Sequence, residues 1–164
     1  MENTPFKATI ALVRIGMGIQ MLWAFIDKLY GLGFATVSEK GWIFGGSPSE
    51  GFLKFGAAGP FAQIYKAIGG TVAVDWLFML GLLFIGLALF LGIGMKIASY
   101  TGAVMMFLMW TVVLPKENNI FLIDEHFIYL VVLLILNFAR AGQVAGAGRW
   151  WTNTKLVKKL PWLE

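Results

Sequence analysis

The sequence contains no cysteine and one histidine, and only 13% of its 164 residues are charged. The missing cysteine removes disulfide relays, thiolate metal sites and iron–sulfur clusters together. The charge content is about half of the roughly 25% found in an average soluble domain. A chain this apolar neither covers itself with polar surface as a soluble globule nor stays disordered. What it has instead is hydrophobic: 59% of residues, including seven Trp, fourteen Phe and eight Met, with a mean hydropathy of +0.76. This composition describes a small integral membrane protein of one domain, whose chemistry rests on few polar groups.

Four apolar runs cover residues 8–26, 76–95, 97–114 and 127–139. A bilayer core of about 30 Å takes about 20 helical residues. The last run reaches that length only with His126 and the stretch to Gly146; a buried or re-entrant helix is its alternative. The expected fold class is all-α: an integral membrane four-helix bundle with spans at about 8–27, 76–95, 97–114 and 126–145. Arg14 inside the first run, with no small-x-small motif after it, argues against a cleavable signal peptide. With both termini on the inner side, eight Lys and Arg fall inside and five outside, for net charges of +6 and −2. The positive-inside rule therefore predicts cytoplasmic termini. The overall charge of +4 is a topology signal and needs no nucleic-acid partner.

Residues 31–74 form an outer loop too long for a simple turn, rich in Gly yet carrying Trp42, Phe44, Phe52, Phe55, Phe61 and Tyr65. Ser47-Pro48-Ser49-Glu50 reads as a helix start with Ser as N-cap, Pro at the first position and Glu closing a capping box. Gly59-Pro60 breaks that helix and opens another, which ends at Gly69-Gly70. Two short amphipathic helices over the outer mouth, or an aromatic segment anchored among head groups, both satisfy this pattern. In the tail, 147–164, Arg149-Trp150-Trp151 with Lys155, Lys158, Lys159 and Trp162 predicts a basic interfacial helix that anchors in membrane lipid or docks a partner.

Ionisable groups within spans are costly and mark candidate sites. Gly16, Gln20, Trp23 and Asp27 share one face of the first helix, and His126, Tyr129, Leu133, Asn137 and Arg140 share one face of the fourth. The topology brings Asp27, Lys28, Asp124, Glu125 and His126 to one outer side. There they form a proton-coupled site or tie two helix ends together. As a site, Asp27, Asp124 and His126 handle protons, since His titrates near physiological pH. Lys28 offers a donor to a carbonyl oxygen, and Trp23, Trp42 or Tyr129 wall a quinone head group. Arg14 snorkels, pairs with Asn137, or orients the quinone. Bis-histidine haem needs two His, and Met105, Met106 and Met109 suit packing better than ligation. A metal held by Asp124, Glu125 and His126 is disfavoured because adjacent helical residues diverge.

These residues carry a resemblance. VRIGMGIQMLWAFIDKLYG (13–31) resembles the first-helix signature of the DoxX/DoxD membrane proteins: an Arg, a Gly-rich face and an acidic-Lys ending. GWIFGGSPSEGFL (41–53) is similar to the loop of the DoxD-like branch, and NNIFLIDEHFIYLVVLLIL through AGQVAGAGRWW (118–151) is similar to its fourth-helix region. The Gly146-Ala147-Gly148-Arg149 stretch lacks the acidic residue expected after those glycines. The resemblance implies a four-helix subunit of thiosulfate:quinone oxidoreductase in a prokaryotic plasma membrane, with quinone as its bound substrate and neither haem nor an iron–sulfur cluster. It also implies a DoxA-like partner subunit or a homo-oligomer. Arg14, Asp27, Lys28, Asp124 and His126 match the shared polar pattern. Readings of a different class are a non-catalytic scaffold and a small-molecule or lipid carrier.

Overall fold

The computed structural model describes residues 4–114 and 122–164, so Glu2, Lys116, Glu117 and positions 118–121 of the fourth-helix motif lie outside the described residues. The helices are α1 (Thr4–Tyr30), α2 (Ala62–Ile68), α3 (Val72–Leu91), α4 (Met95–Val112), α5 (Glu125–Phe138), α6 (Gly148–Thr152) and α7 (Lys155–Lys159). No strand occurs among the described residues. Three of these helices, α1, α3 and α4, are long and apolar enough to cross a membrane.

Hydropathy places these three helices to within about four residues, and backbone geometry accounts for the offsets. The apolar run 76–95 continues through Gly92 and Gly94, but both adopt left-handed backbone, with φ of 75° and 58°. Glycine enters that region without steric cost, so α3 stops at Leu91 and α4 restarts at Met95 after a three-residue turn. The fourth helix differs more. α5 has 14 residues and ends at Phe138, roughly 21 Å at the helical rise. Arg140, at φ 49°, turns the chain into a 3-10 turn over Ala141–Gln143, so the helix does not continue to residue 145.

α1 packs on α3, α3 on α4 and α4 on α5. Lipid is as apolar as a core side chain, so association of such helices depends on close fit and buried polar contacts. The α1–α3 crossing shows the close fit. A Cβ on Gly18 would lie 2.7 Å from the Phe90 backbone nitrogen, and one on Gly86 would lie 2.9 Å from Leu22 Cγ. Met79, Leu82, Ile85 and Leu89 of α3 meet Met106 of α4 and Leu133 and Leu136 of α5 in the buried core. Met105 and Met109 pack against it, which is the packing role expected of the α4 methionines. Leu77 and Phe84, by contrast, are 75% and 62% exposed on the outward face of α3.

The 31–74 segment is folded and bonded to the helices at one end of the molecule, here the loop end. It contains 3-10 turns at Ser38–Lys40 and Trp42–Phe44 and a π-helical turn at Gly51–Phe55 ahead of α2. The Glu50 N–H donates to Ser47 Oγ at 3.2 Å. Glu50 itself accepts from Lys54 Nζ at 2.8 Å, one turn forward, instead of reaching back to close a capping box. Ala58 N–H donates to the Val112 carbonyl at 2.9 Å. Tyr65 Oη and Thr111 Oγ1 share a hydrogen bond of 2.5 Å, and Trp42 packs edge-on against Trp76 at 4.7 Å. At the opposite, tail end, two short helices and a 3-10 turn at Pro161–Leu163 replace the expected single helix. They fold back on the chain: Trp151 Nε1 donates to the Leu163 carbonyl at 2.7 Å, and Lys96 N–H donates to the Glu164 carbonyl at 2.6 Å.

Candidate functional site

Arg14 neither snorkels nor pairs with Asn137. It is completely buried, and among the described residues its guanidinium donates only to main-chain oxygens. Nη1 reaches the Leu89 carbonyl and, at 3.0 Å, that of Phe90. Nη2 reaches the carbonyls of Val144 at 3.2 Å and Ala145 at 2.9 Å. An α-helix leaves its last four carbonyls without intrahelical donors. In α3 all four are answered: Ala88 by the Gly92 and Ile93 N–H groups, Leu91 by Ala147 N–H, and Leu89 and Phe90 by Arg14. A cation there also complements the negative end of the helix dipole. The space around it is made by glycine, since a Cβ on Gly92 would sit 2.9 Å from Nη1 and one on Gly146 would sit 3.0 Å from Nη2.

At the loop end the expected polar cluster is divided between two pairs of helices. Asp27, buried near the end of α1, receives the Phe34 N–H on Oδ1 at 3.1 Å and the Ala35 N–H on Oδ2 at 3.0 Å. It therefore clamps the turn that follows its own helix. Lys28 points to α3, its Nζ 5.8 Å from the centre of the Phe78 ring. That is a cation–π distance. Trp23 packs edge-on against Phe34 at 6.3 Å and is 44% exposed. All three side chains serve α1, α3 and the turn between them.

Asp75, one of the acidic residues behind the outer net charge of −2, organises the loop. Buried in the first turn of α3, its Oδ1 accepts from Ser47 Oγ at 2.9 Å, Ser49 N–H at 3.0 Å and Ser49 Oγ at 2.6 Å. Ser49 Oγ in turn accepts the Gly70 N–H at 3.2 Å. An acid at a helix start is ordinary by the dipole rule, so its position alone did not mark it. The signal was the nearby Ser-Pro-Ser, two hydroxyls in search of an acceptor.

Asp124 and His126 form the second group. Asp124 is the N-cap of α5, its Oδ1 receiving the His126 and Phe127 N–H groups at 3.0 and 3.2 Å. Its Oδ2 lies 3.0 Å from His126 Nδ1. With the proton on Nδ1 that contact is a donation to the carboxylate, and Nε2 is left as an acceptor. The His126 side chain keeps only 12% of its exposure and Asp124 only 3%. The Phe52 ring lies 5.7 Å from the imidazole at a tilt of 42°, so the outer segment covers the pair. Tyr129, one turn along α5, is half-buried against the core. The geometric objection to a metal site is also corrected. Asp124 has extended rather than helical backbone, so its side chain folds over the helix start. One ligand atom each from Asp124, Glu125 and His126 then lies within 4.8 Å of the others.

Of the sequence-derived candidates, the fold joins Asp124, His126 and, on the same helix face, Tyr129. Asp27, Lys28 and Trp23 stand with α1 and α3, and Arg14 lies at the far end. The joined group is a carboxylate-backed imidazole at the head of an apolar helix, under an aromatic cover. In such a pair the carboxylate fixes the ring through Nδ1 and leaves Nε2 as the atom that can exchange a proton. Compared with family models, curated proteins and solved structures, the chain matches none of them.

Proposed function

We propose that the chain is the membrane subunit of a quinone-linked oxidoreductase of the thiosulfate:quinone type. In this reading it is a four-helix protein of a prokaryotic plasma membrane, with α5 as the fourth membrane helix and both termini cytoplasmic. One observation carries the proposal: the His126–Asp124 pair, withdrawn from water beneath Phe52 at the start of α5. Reduction of a quinone takes two electrons and two protons, and joining two thiosulfates as tetrathionate supplies the electrons. The chain's own task is then the protons. Protonated His126 gives up the proton on Nε2 while Asp124 holds Nδ1–H and fixes the ring. Tyr129, on the same face one turn away, borders the path. Lys28 and Trp23 belong to the α1–α3 side and act on a head group only where it spans both helix pairs. A DoxA-like partner subunit or a second copy passes the electrons.

The competing reading is a scaffold whose charges only tie helices. It is favoured by a specific observation, that among the described residues every hydrogen bond made by the Arg14 and Asp27 side chains goes to backbone. Quinone reduction by thiosulfate, followed with purified protein in detergent, separates the two. The proposal expects activity that His126→Ala abolishes while the unfolding midpoint is kept. No activity, together with no quinone in an organic extract of the protein, selects the scaffold. Lipid tails in place of a quinone ring under the outer segment select the carrier.

A further inference from the structure

The tail end holds a pocket of about 320 Å³ where the end of α5, the start of α4 and the folded-back tail meet. This size is at the lower end of the roughly 300–1,000 Å³ of ligand pockets. Its lining is polar and basic for a site bordering apolar helices: Lys96, Arg140, Asn137, Gln143 and Thr152, with Trp151 as an aromatic wall. Lys96 and Arg140 come from different helix ends, and neither makes an ion pair among the described residues. Arg140 is held at φ 49°, a conformation uncommon for a residue with a side chain. The acid of the pocket is Glu164, whose Oε1 accepts from Gln143 Nε2 at 3.3 Å. Two cationic side chains, Lys96 and Arg140, thus share the lining with the Glu164 side chain. Phe138, also in the lining, is 72% exposed on the last turn of α5, so an apolar surface leads directly into the polar pocket.

A pocket with this gradient, cationic and amide-lined within and greasy at its lip, fits an amphiphile with an anionic head. We propose that it binds the phosphate of an anionic phospholipid head group. Lys96 and Arg140 donate charge-assisted hydrogen bonds to the phosphate oxygens, the amides of Asn137 and Gln143 complete the donor set, and the acyl chains leave across Phe138. Basic pockets between membrane helices bind anionic head groups in this way. Arg149, Lys155, Lys158 and Lys159 on the same tail raise the local concentration of anionic lipid, whereas Lys96 and Arg140 select it.

The test is native mass spectrometry of the delipidated full chain in detergent, titrated with phosphatidylglycerol, phosphatidylcholine or inorganic phosphate. One phosphatidylglycerol per chain is expected to be retained at roughly ten-fold or more lower concentration than phosphatidylcholine. The double variant K96Q/R140N loses that preference with its unfolding midpoint unchanged, since both side chains are exposed and Asn accepts the left-handed backbone. Glu164→Gln strengthens the preference by removing the competing carboxylate. The variant K155Q/K158Q/K159Q keeps it. Equal retention of the two lipids, or a preference that survives K96Q/R140N, overturns the proposal. So does a preference that the tail variant removes equally, because the attraction is then diffuse. Binding of inorganic phosphate as tight as that of the lipid, and equally sensitive to K96Q/R140N, assigns the site to the free anion and overturns the head-group assignment.

Discussion

Replacing Arg14 by Met keeps the length and removes every donor. Four carbonyls, of Leu89, Phe90, Val144 and Ala145, lose their partner, and among the described residues none has a second donor. A buried unsatisfied group costs about 1–3 kcal/mol. Against this, the variant no longer buries a guanidinium, and the carbonyl of exposed Ala145 regains water. The net loss then falls in the range of about 3–5 kcal/mol typical of removing one partner from a buried charged contact. For a chain of this size, roughly 2–4 °C per kcal/mol converts that loss into a fall of roughly 6–20 °C in the unfolding midpoint. Thermal and denaturant unfolding in detergent read it directly. Arg14→Lys keeps the charge, but its compact ammonium cannot fork between α3 and the 144–145 backbone, so an intermediate loss is expected. Lys159→Met, an exposed charge removal, controls for net charge and is expected to stay within about 0.5 kcal/mol. An Arg14→Met protein within about 1 kcal/mol of its parent would refute the reasoning, since four charged hydrogen bonds would then be worth no more than one ordinary bond.

Two glycines one half-turn apart on α1 should respond with opposite signs. Gly16→Ala, with nothing within 4 Å of the new Cβ, is expected to stabilise by about 0.5–1 kcal/mol through helix propensity. Gly18→Ala forces its methyl against the Phe90 backbone and is expected to cost about 1–3 kcal/mol by overpacking; paired thermal unfolding curves give the signs. Asp75→Ala removes the acceptor of three hydrogen bonds. It should cost about 2–4 kcal/mol and open the 46–60 stretch to limited proteolysis, while Asp75→Asn, which keeps an acceptor, should lose less. Asp124→Ser keeps an N-cap but not the carboxylate on His126. If the proposed proton role holds, quinone reduction falls with stability preserved within about 1 kcal/mol; equal activity would leave Asp124 as a cap alone.

The long apolar helices were legible because a run such as 76–91 leaves no other way to satisfy its backbone in lipid. The joined Asp124–His126 pair was legible for a different reason, since an Asp two residues before a His at a helix start meets it through local geometry. Arg14 was legible as a costly buried charge but not in its partners. A sequence suggests carboxylates or Asn137 as answering groups, whereas its acceptors are carbonyls 75 to 131 positions away, which leave no residue-type signature. The single outer cluster failed on adjacency. Charge patterning tells which end of a helix a residue occupies, but not that α1 lies against α3 while α5 lies against α4. The expected α5 runs past its real end because residues 137–146 carry no Pro and only one charge, Arg140, and nothing in composition announces that this Arg140 is left-handed.

The Arg14 contact also sets an order in time. The arginine is made before all of its acceptors: those of α3 follow 75 and 76 positions later, and Val144 and Ala145 follow 130 and 131 positions later. During synthesis, therefore, α1 carries an unanswered cation until α3 arrives, and Nη2 stays unanswered until residues 144–145 follow. α1 is thus completed by partners far along the chain, and an insertion intermediate lacking residues 144–145 holds a charge that still seeks water or lipid phosphate.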